Sequence, residues 1–167
     1  MNPPAAPSAE ILVIDNDPRS LMSTAAVLDM AGYTCHCARD RQEARKAART
    51  IGLDLLICDV NLGGDSGLDL CRDLRMLPGI QDVPVMFVST TQLPDIVRRS
   101  HEAGAAYYLR KPFDPDVLVE LVGKALWLPH IVQSRLAMHV SASRITRPSS
   151  RTRNTIAALS GIRMPLA

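Results

Sequence analysis

The chain has 167 residues, 47% of them hydrophobic and 22% charged, so it can bury a core of ordinary size and is too short for two full domains. No apolar run approaches the roughly 18 residues of a membrane span, and the opening MNPPAAPSA lacks the basic patch and apolar stretch of a secretory signal, which points to a cytoplasmic protein. The net charge of +2 is unevenly spread: residues 1–127 hold 13 Lys/Arg and all 17 Asp/Glu, whereas residues 128–167 hold six Arg and no acid. Residues 1–8 read as a flexible N-terminus and 9–127 as the folded domain. Residues 128–167 read as a basic, largely disordered tail, in which Val132, Leu136 and Val140 have the spacing of an amphipathic helix over 130–145.

Within 9–127, short apolar runs alternate with longer periodic segments. Ile11–Ile14, Leu55–Cys58 and Val85–Val88 are continuous apolar runs, the pattern of parallel strands buried on both faces. Tyr33–Cys37 and Tyr107–Leu109 are weaker strand candidates. Helical spacing runs through Leu21, Ala25 and Leu28; Ala44, Ala48 and Ile51; Leu70, Leu74 and Leu77; Ile96, Val97 and Ala103; and finally 115–127, where Trp127-Leu128-Pro129 ends the pattern. Asp17-Pro18 and Asp114-Pro115 have the form of an N-cap followed by a first-turn proline, and Gly32 and Gly104 sit where helices end. Five strand–helix repeats imply an α/β fold with a doubly wound, five-stranded parallel sheet. The cysteines Cys35, Cys37, Cys58 and Cys71 lie in apolar stretches without metal-site spacing and are expected to be buried, reduced thiols.

In such a sheet, chemistry gathers beyond the carboxyl ends of the strands. The residues there are Asp15 and Asn16 after the first strand, Asp59 after the third, Ser89 and Thr90 after the fourth and Lys111 after the fifth. Any one of these Asp residues could simply cap a turn. Together they make an acidic pocket with a hydroxyl and an ammonium.

The segments ILVIDNDP, LLICDVNLGGDSGLDL, VMFVST and YYLRKPF, in that order and spacing, resemble the signature blocks of response-regulator receiver domains, the phosphoacceptors of two-component signalling. The resemblance implies a flavodoxin-like, receiver-type sheet and no enzyme activity beyond self-phosphorylation and slow self-dephosphorylation. It makes Asp59 the phosphoacceptor, and Asp15, Asn16, Asp59 and Asn61 the Mg²⁺ ligands, Asn61 through its backbone carbonyl. Ser89, Thr90, Lys111 and Tyr108 become the phosphoryl-binding and switch residues. It also implies a sensor histidine kinase or phosphotransfer protein as donor, and an output protein docking on the face formed by 93–103 and 107–127. Asn16 departs from the family's usual acid and should weaken Mg²⁺ binding, while Gly63-Gly64 replaces the usual proline region and should loosen that loop.

Asp17 is read as a helix cap, with metal binding as its second use. Asp65, Asp69 and Asp73, and likewise Arg98, Arg99, His101 and Glu102, read as solvated helix faces, and His36 as a surface or satisfied histidine. Two other functions compete. Asp15-Asn16-Asp17 matches the D-x-D of haloacid-dehalogenase-like phosphohydrolases, with Asp15 as nucleophile, but Asp59 then has no role. A receiver-like module that binds partners without phosphate would account for Asn16. Nucleic acid is not an expected partner, because the tail has almost no aromatic residues to stack bases and no reading motif.

Overall fold

The computed structural model describes residues 8–127, so the expected N-terminal arm up to residue 7 and the expected tail helix at 130–145 lie outside the described residues. The elements are β1 (Glu10–Ile14), α1 (Pro18–Met30), β2 (Thr34–Ala38), α2 (Arg41–Thr50), β3 (Leu55–Cys58), β4 (Asn61–Leu62), β5 (Asp65–Ser66), α3 (Gly67–Leu74), β6 (Val85–Ser89), α4 (Ile96–Glu102) and β7 (Ala105–Arg110). A last helix, α5, occupies residues 115–127. The main sheet has the order β2-β1-β3-β6-β7, with every neighbouring pair parallel.

Strand alternation divides the core in two. Leu12, Ile14, Leu56, Cys58, Val85 and Phe87 face the cluster completed by Ala44 and Ala48 of α2 and by Leu70 and Leu74 of α3. Ile11, Val13, Leu55, Ile57, Met86 and Val88 face Leu21 and Leu28 of α1 and Leu118, Val122 and Ala125 of α5. Because both faces are covered, β1, β3 and β6 have no room for polar alternation. The edge strands β2 and β7 are only partly covered, and they are the two with the weaker apolar signal.

The helix ends follow the local chemistry. The Asp17 carboxylate accepts from the Arg19 N–H at 3.0 Å as the cap of α1, ahead of Pro18. Asp114 accepts from the Asp116 N–H at the start of α5. Gly32 and Gly104 follow α1 and α4 with φ of 91° and 85°, the left-handed conformation in which a side chain is strained.

One expectation is corrected. Cys58 and Cys71 are buried, but Cys35 is half-buried and Cys37 exposed, because β2 is a sheet edge; all four are free thiols. Burial and the adjacent Asp29 push the Cys35 thiol up to about 12, which keeps it protonated and unreactive. Gly63 and Gly64, with φ of 67° and 115°, make the two-residue turn of a small antiparallel hairpin, β4 against β5. Asp65, Asp69 and Asp73 are exposed, as expected, and two of them also meet Arg41 of α2. The Arg41 guanidinium reaches Asp73 at 2.6 Å and Asp65 at 3.6 Å, tying α2 to α3 and the hairpin.

Gly67, the first residue of α3, lies directly beneath the end of β3. A Cβ at this position would come within 1.8 Å of the Asp59 carbonyl oxygen, and the Gly67 N–H is already bonded to the Val60 carbonyl at 2.8 Å. Gly67→Ala should therefore force the strand end and the helix apart, at a cost of about 3 kcal/mol in urea denaturation. Retention of wild-type stability in that variant would show that the contact is easily relieved.

Candidate functional site

The sheet ladder places the strand-end residues before any side chain does. The N–H of Asp15 bonds the Ala38 carbonyl on β2 at 3.1 Å, that of Asp59 bonds Ile14 on β1 at 2.9 Å, and that of Lys111 bonds Ser89 on β6 at 2.9 Å. Asp15 and Asp59 thus emerge side by side where the chain order reverses between β1 and β3, the usual position of a ligand site in an open parallel sheet.

One ammonium joins them. Lys111 Nζ lies 2.5 Å from Asp15 Oδ2 and 2.8 Å from Asp59 Oδ2, and all three side chains are 13% exposed or less. Burial alone would lower the Lys111 pKa, but the hydrogen bonds and charges of the two carboxylates outweigh it and raise the ammonium above its ordinary range. The other Asp59 oxygen, Oδ1, accepts from the Ser89 hydroxyl at 2.7 Å and the Asn61 N–H at 2.9 Å. Asp15 Oδ1 accepts from the Asp17 N–H. Both carboxylates are therefore fixed in orientation.

Asp15, Asp59, Asn61, Ser89 and Lys111 thus form one hydrogen-bonded group. Tyr108 joins it at one remove, donating its hydroxyl to the Thr91 carbonyl at 3.0 Å; burial and the Asp59 charge raise its phenol pKa. Asn16 sits on the rim, exposed, with its amide against the hairpin: a Cβ on Gly63 would lie 2.7 Å from Asn16 Nδ2. Thr90 is exposed and makes none of these contacts. The residue the sequence reading missed is Thr91, whose hydroxyl lies 3.0 Å from that of Ser89. Three consecutive hydroxyl residues, Ser89-Thr90-Thr91, were the available signal, but only the turn after β6 decides which of them points inward.

His36 is satisfied by Glu10 at 2.5 Å, and Arg98 is paired with Glu102 and Asp95 on the surface of α4. A cavity of about 630 Å³ along α2, lined by Arg41, Gln42, Arg45, Lys46, Arg49 and Thr50, shares no residue with the strand-end group. The donor set fits a small hard cation. Two carboxylates and the oxygens of Asn16 and Asn61 leave positions for waters and phosphate oxygens, the mixture Mg²⁺ accepts. Among the described residues no cluster of three acids, histidines or cysteines forms a self-sufficient metal cage.

The sequence model of the response regulator receiver domain matches residues 11–123, and the chain belongs to that family. It is 37% identical over 112 residues to the DNA-binding response regulator MtrA of Mycolicibacterium smegmatis, a match covering 67% of this chain and 48% of that protein, so the chain spans about half the length of this relative. Among solved structures, the chemotaxis protein CheY4 of Vibrio cholerae superposes with a TM-score of 0.67 at 26% identity, covering 71% of this chain and 98% of that one. A response regulator protein from Burkholderia pseudomallei, solved with a phosphorylated aspartic acid, a calcium ion and citrate, matches with a TM-score of 0.62 at 28% identity, covering 79% and 75%. The fold is the five-stranded receiver fold of two-component response regulators.

Removing the ammonium would leave two buried carboxylates facing each other. Lys111→Met should lose about 3 kcal/mol of stability in metal-free buffer at neutral pH, measured by urea denaturation. Since the folded Lys111 pKa is raised, its contribution in the wild type is complete below its ordinary value of 10.5 and is lost as pH rises through the raised value. An alkaline stability profile identical in wild type and Lys111→Met would refute the bridge.

Proposed function

We propose that Asp59 accepts a phosphoryl group from a sensor histidine kinase or phosphotransfer protein, and that the modified domain changes its affinity for an output protein docking on the face formed by 93–103 and 107–127. The observation that carries this reading is the Asp59 carboxylate itself, nearly buried at a strand end, with one oxygen on the Lys111 ammonium and the other on the Ser89 hydroxyl and the Asn61 N–H. A carboxylate oxygen attacks phosphorus and the P–N bond to the donor histidine breaks, leaving an acyl phosphate on Asp59. Lys111 then faces the new phosphoryl oxygens instead of a carboxylate, and Ser89 can turn its proton to them. Asp15, Asn16, Asp59 and Asn61 are the residues that would hold Mg²⁺, which when bound offsets charge between the carboxylates and the incoming phosphoryl group. The phosphorylated aspartic acid of the Burkholderia pseudomallei relative supports the same chemistry here.

This reading makes the chain a signalling protein of the cytoplasm rather than an enzyme. Among the described residues no helix is long and apolar enough to cross a membrane. The partners proposed are proteins; the DNA-binding role in the name of MtrA belongs to a relative about twice the matched length. The hydrolase alternative is disfavoured by Asp17, whose carboxylate is engaged as the cap of α1 rather than poised as an acid.

Incubation with acetyl phosphate and Mg²⁺, followed by intact mass and peptide mapping, tests the proposal. Phosphate should map to Asp59, and Asp59→Asn should abolish uptake while keeping the fold. Mapping to Asp15, or sustained turnover of the donor, would favour the hydrolase, and no uptake at all would favour the phosphate-independent module. Asn16→Asp adds a carboxylate to the rim and should tighten Mg²⁺ by about tenfold in a fluorescence or calorimetric titration. Unchanged affinity would show that position 16 is not a ligand.

A further inference from the structure

Ser89 has one proton to donate and two lone pairs to fill. Its hydroxyl lies 2.7 Å from Asp59 Oδ1, and an ionised carboxylate only accepts, so the Ser89 proton is committed to Asp59. The contact of 3.0 Å between the hydroxyls of Ser89 and Thr91 therefore has a definite direction, with Thr91 as the donor. The Thr91 N–H also donates to the same Ser89 oxygen, at 3.3 Å. The Ser89 hydroxyl is thus saturated, giving one hydrogen bond and receiving two, and both that it receives come from Thr91. The same residue's carbonyl accepts the Tyr108 hydroxyl at 3.0 Å.

We propose that Thr91 is the positioning residue of this site, holding Ser89 aimed at Asp59 through its hydroxyl and N–H. Serine makes such a clamp necessary. Lacking the second branch that stiffens threonine and valine about χ1, its hydroxyl can rotate away from Asp59 unless something holds it. The chain of donors also has a polarity: the Thr91 hydroxyl donates to Ser89, which donates to Asp59, and each bond strengthens the next. Any movement of Ser89 toward a phosphoryl group on Asp59 draws on Thr91. Thr90, between them in sequence, takes no part.

The part of this inference that concerns phosphoryl transfer rests on the proposed function of Asp59, whereas the clamp in the resting protein does not. The test therefore has two readouts on the full chain. Thr91→Val removes the hydroxyl at nearly constant shape, and Thr91→Ser restores it. In the resting protein, NMR should show Ser89 averaging between χ1 rotamers in Thr91→Val, with wild-type values in Thr91→Ser. With acetyl phosphate and Mg²⁺, Thr91→Val should be phosphorylated about fivefold more slowly, the effect of losing one ordinary hydrogen bond, and Thr91→Ser at close to the wild-type rate. Wild-type Ser89 couplings in Thr91→Val would overturn the clamp. Altered couplings with an unchanged phosphorylation rate would overturn its role in transfer. If the wild type itself takes no phosphate, the proposed function and the transfer role fall together, and the resting-state spectra still decide the clamp.

Discussion

The site depends on one ammonium held between two carboxylates. Asp15 and Asp59 are brought side by side by the sheet ladder, and like charges at that separation in a nearly buried place repel unless a cation stands between them. Lys111 supplies it from the far end of β7, 96 residues from Asp15 in the chain. The bridge spans the strand order from β1 through β3 to β7, so the functional group and the topology enforce each other. The site keeps one net negative charge, because position 16 contributes an amide in place of an acid. The resting site is therefore closer to neutral than a three-acid version would be.

Much of this was legible before the structure, for identifiable reasons. β1, β3 and β6 announce themselves because helices cover both faces and exclude polar residues over four or five positions. Asp15, Asp59 and Lys111 were readable because a polar residue that ends an apolar run in a parallel sheet has only the strand-end crevice to point into. The proline-marked caps at Asp17 and Asp114 follow from backbone chemistry confined to a few residues, and such local rules survive translation into three dimensions. The weaker signals at β2 and β7 are equally physical, since an edge strand is covered incompletely and its sequence is under less constraint.

What escaped the sequence reading was whatever tertiary placement decides. The exposure of Cys37 follows from β2 being an edge, which is a property of strand order and not of the segment TCHCA. The hairpin of β4 and β5 is two residues on each side, too short for any periodicity to register. The pairing of Arg41 with Asp73 joins residues on different helices, and no spacing rule connects them. Thr91 is the most instructive miss. Its neighbour Thr90 is the same residue type, and only the course of the backbone leaving β6 selects which hydroxyl meets Ser89.

The close approach of Asn16 to Gly63 constrains how this rim could change over time. Position 63 is restricted twice: its left-handed backbone favours glycine, and the space where a side chain would begin is already filled by the Asn16 amide. A side chain there, best an Asn or Asp that tolerates the left-handed turn, would displace the exposed Asn16 amide from its place over the crevice. A change at one position thus moves the other. The two sides of the crevice, far apart in sequence and contributed by different loops, are thereby coupled, so that a substitution in the hairpin also changes where the opposite rim presents its amide.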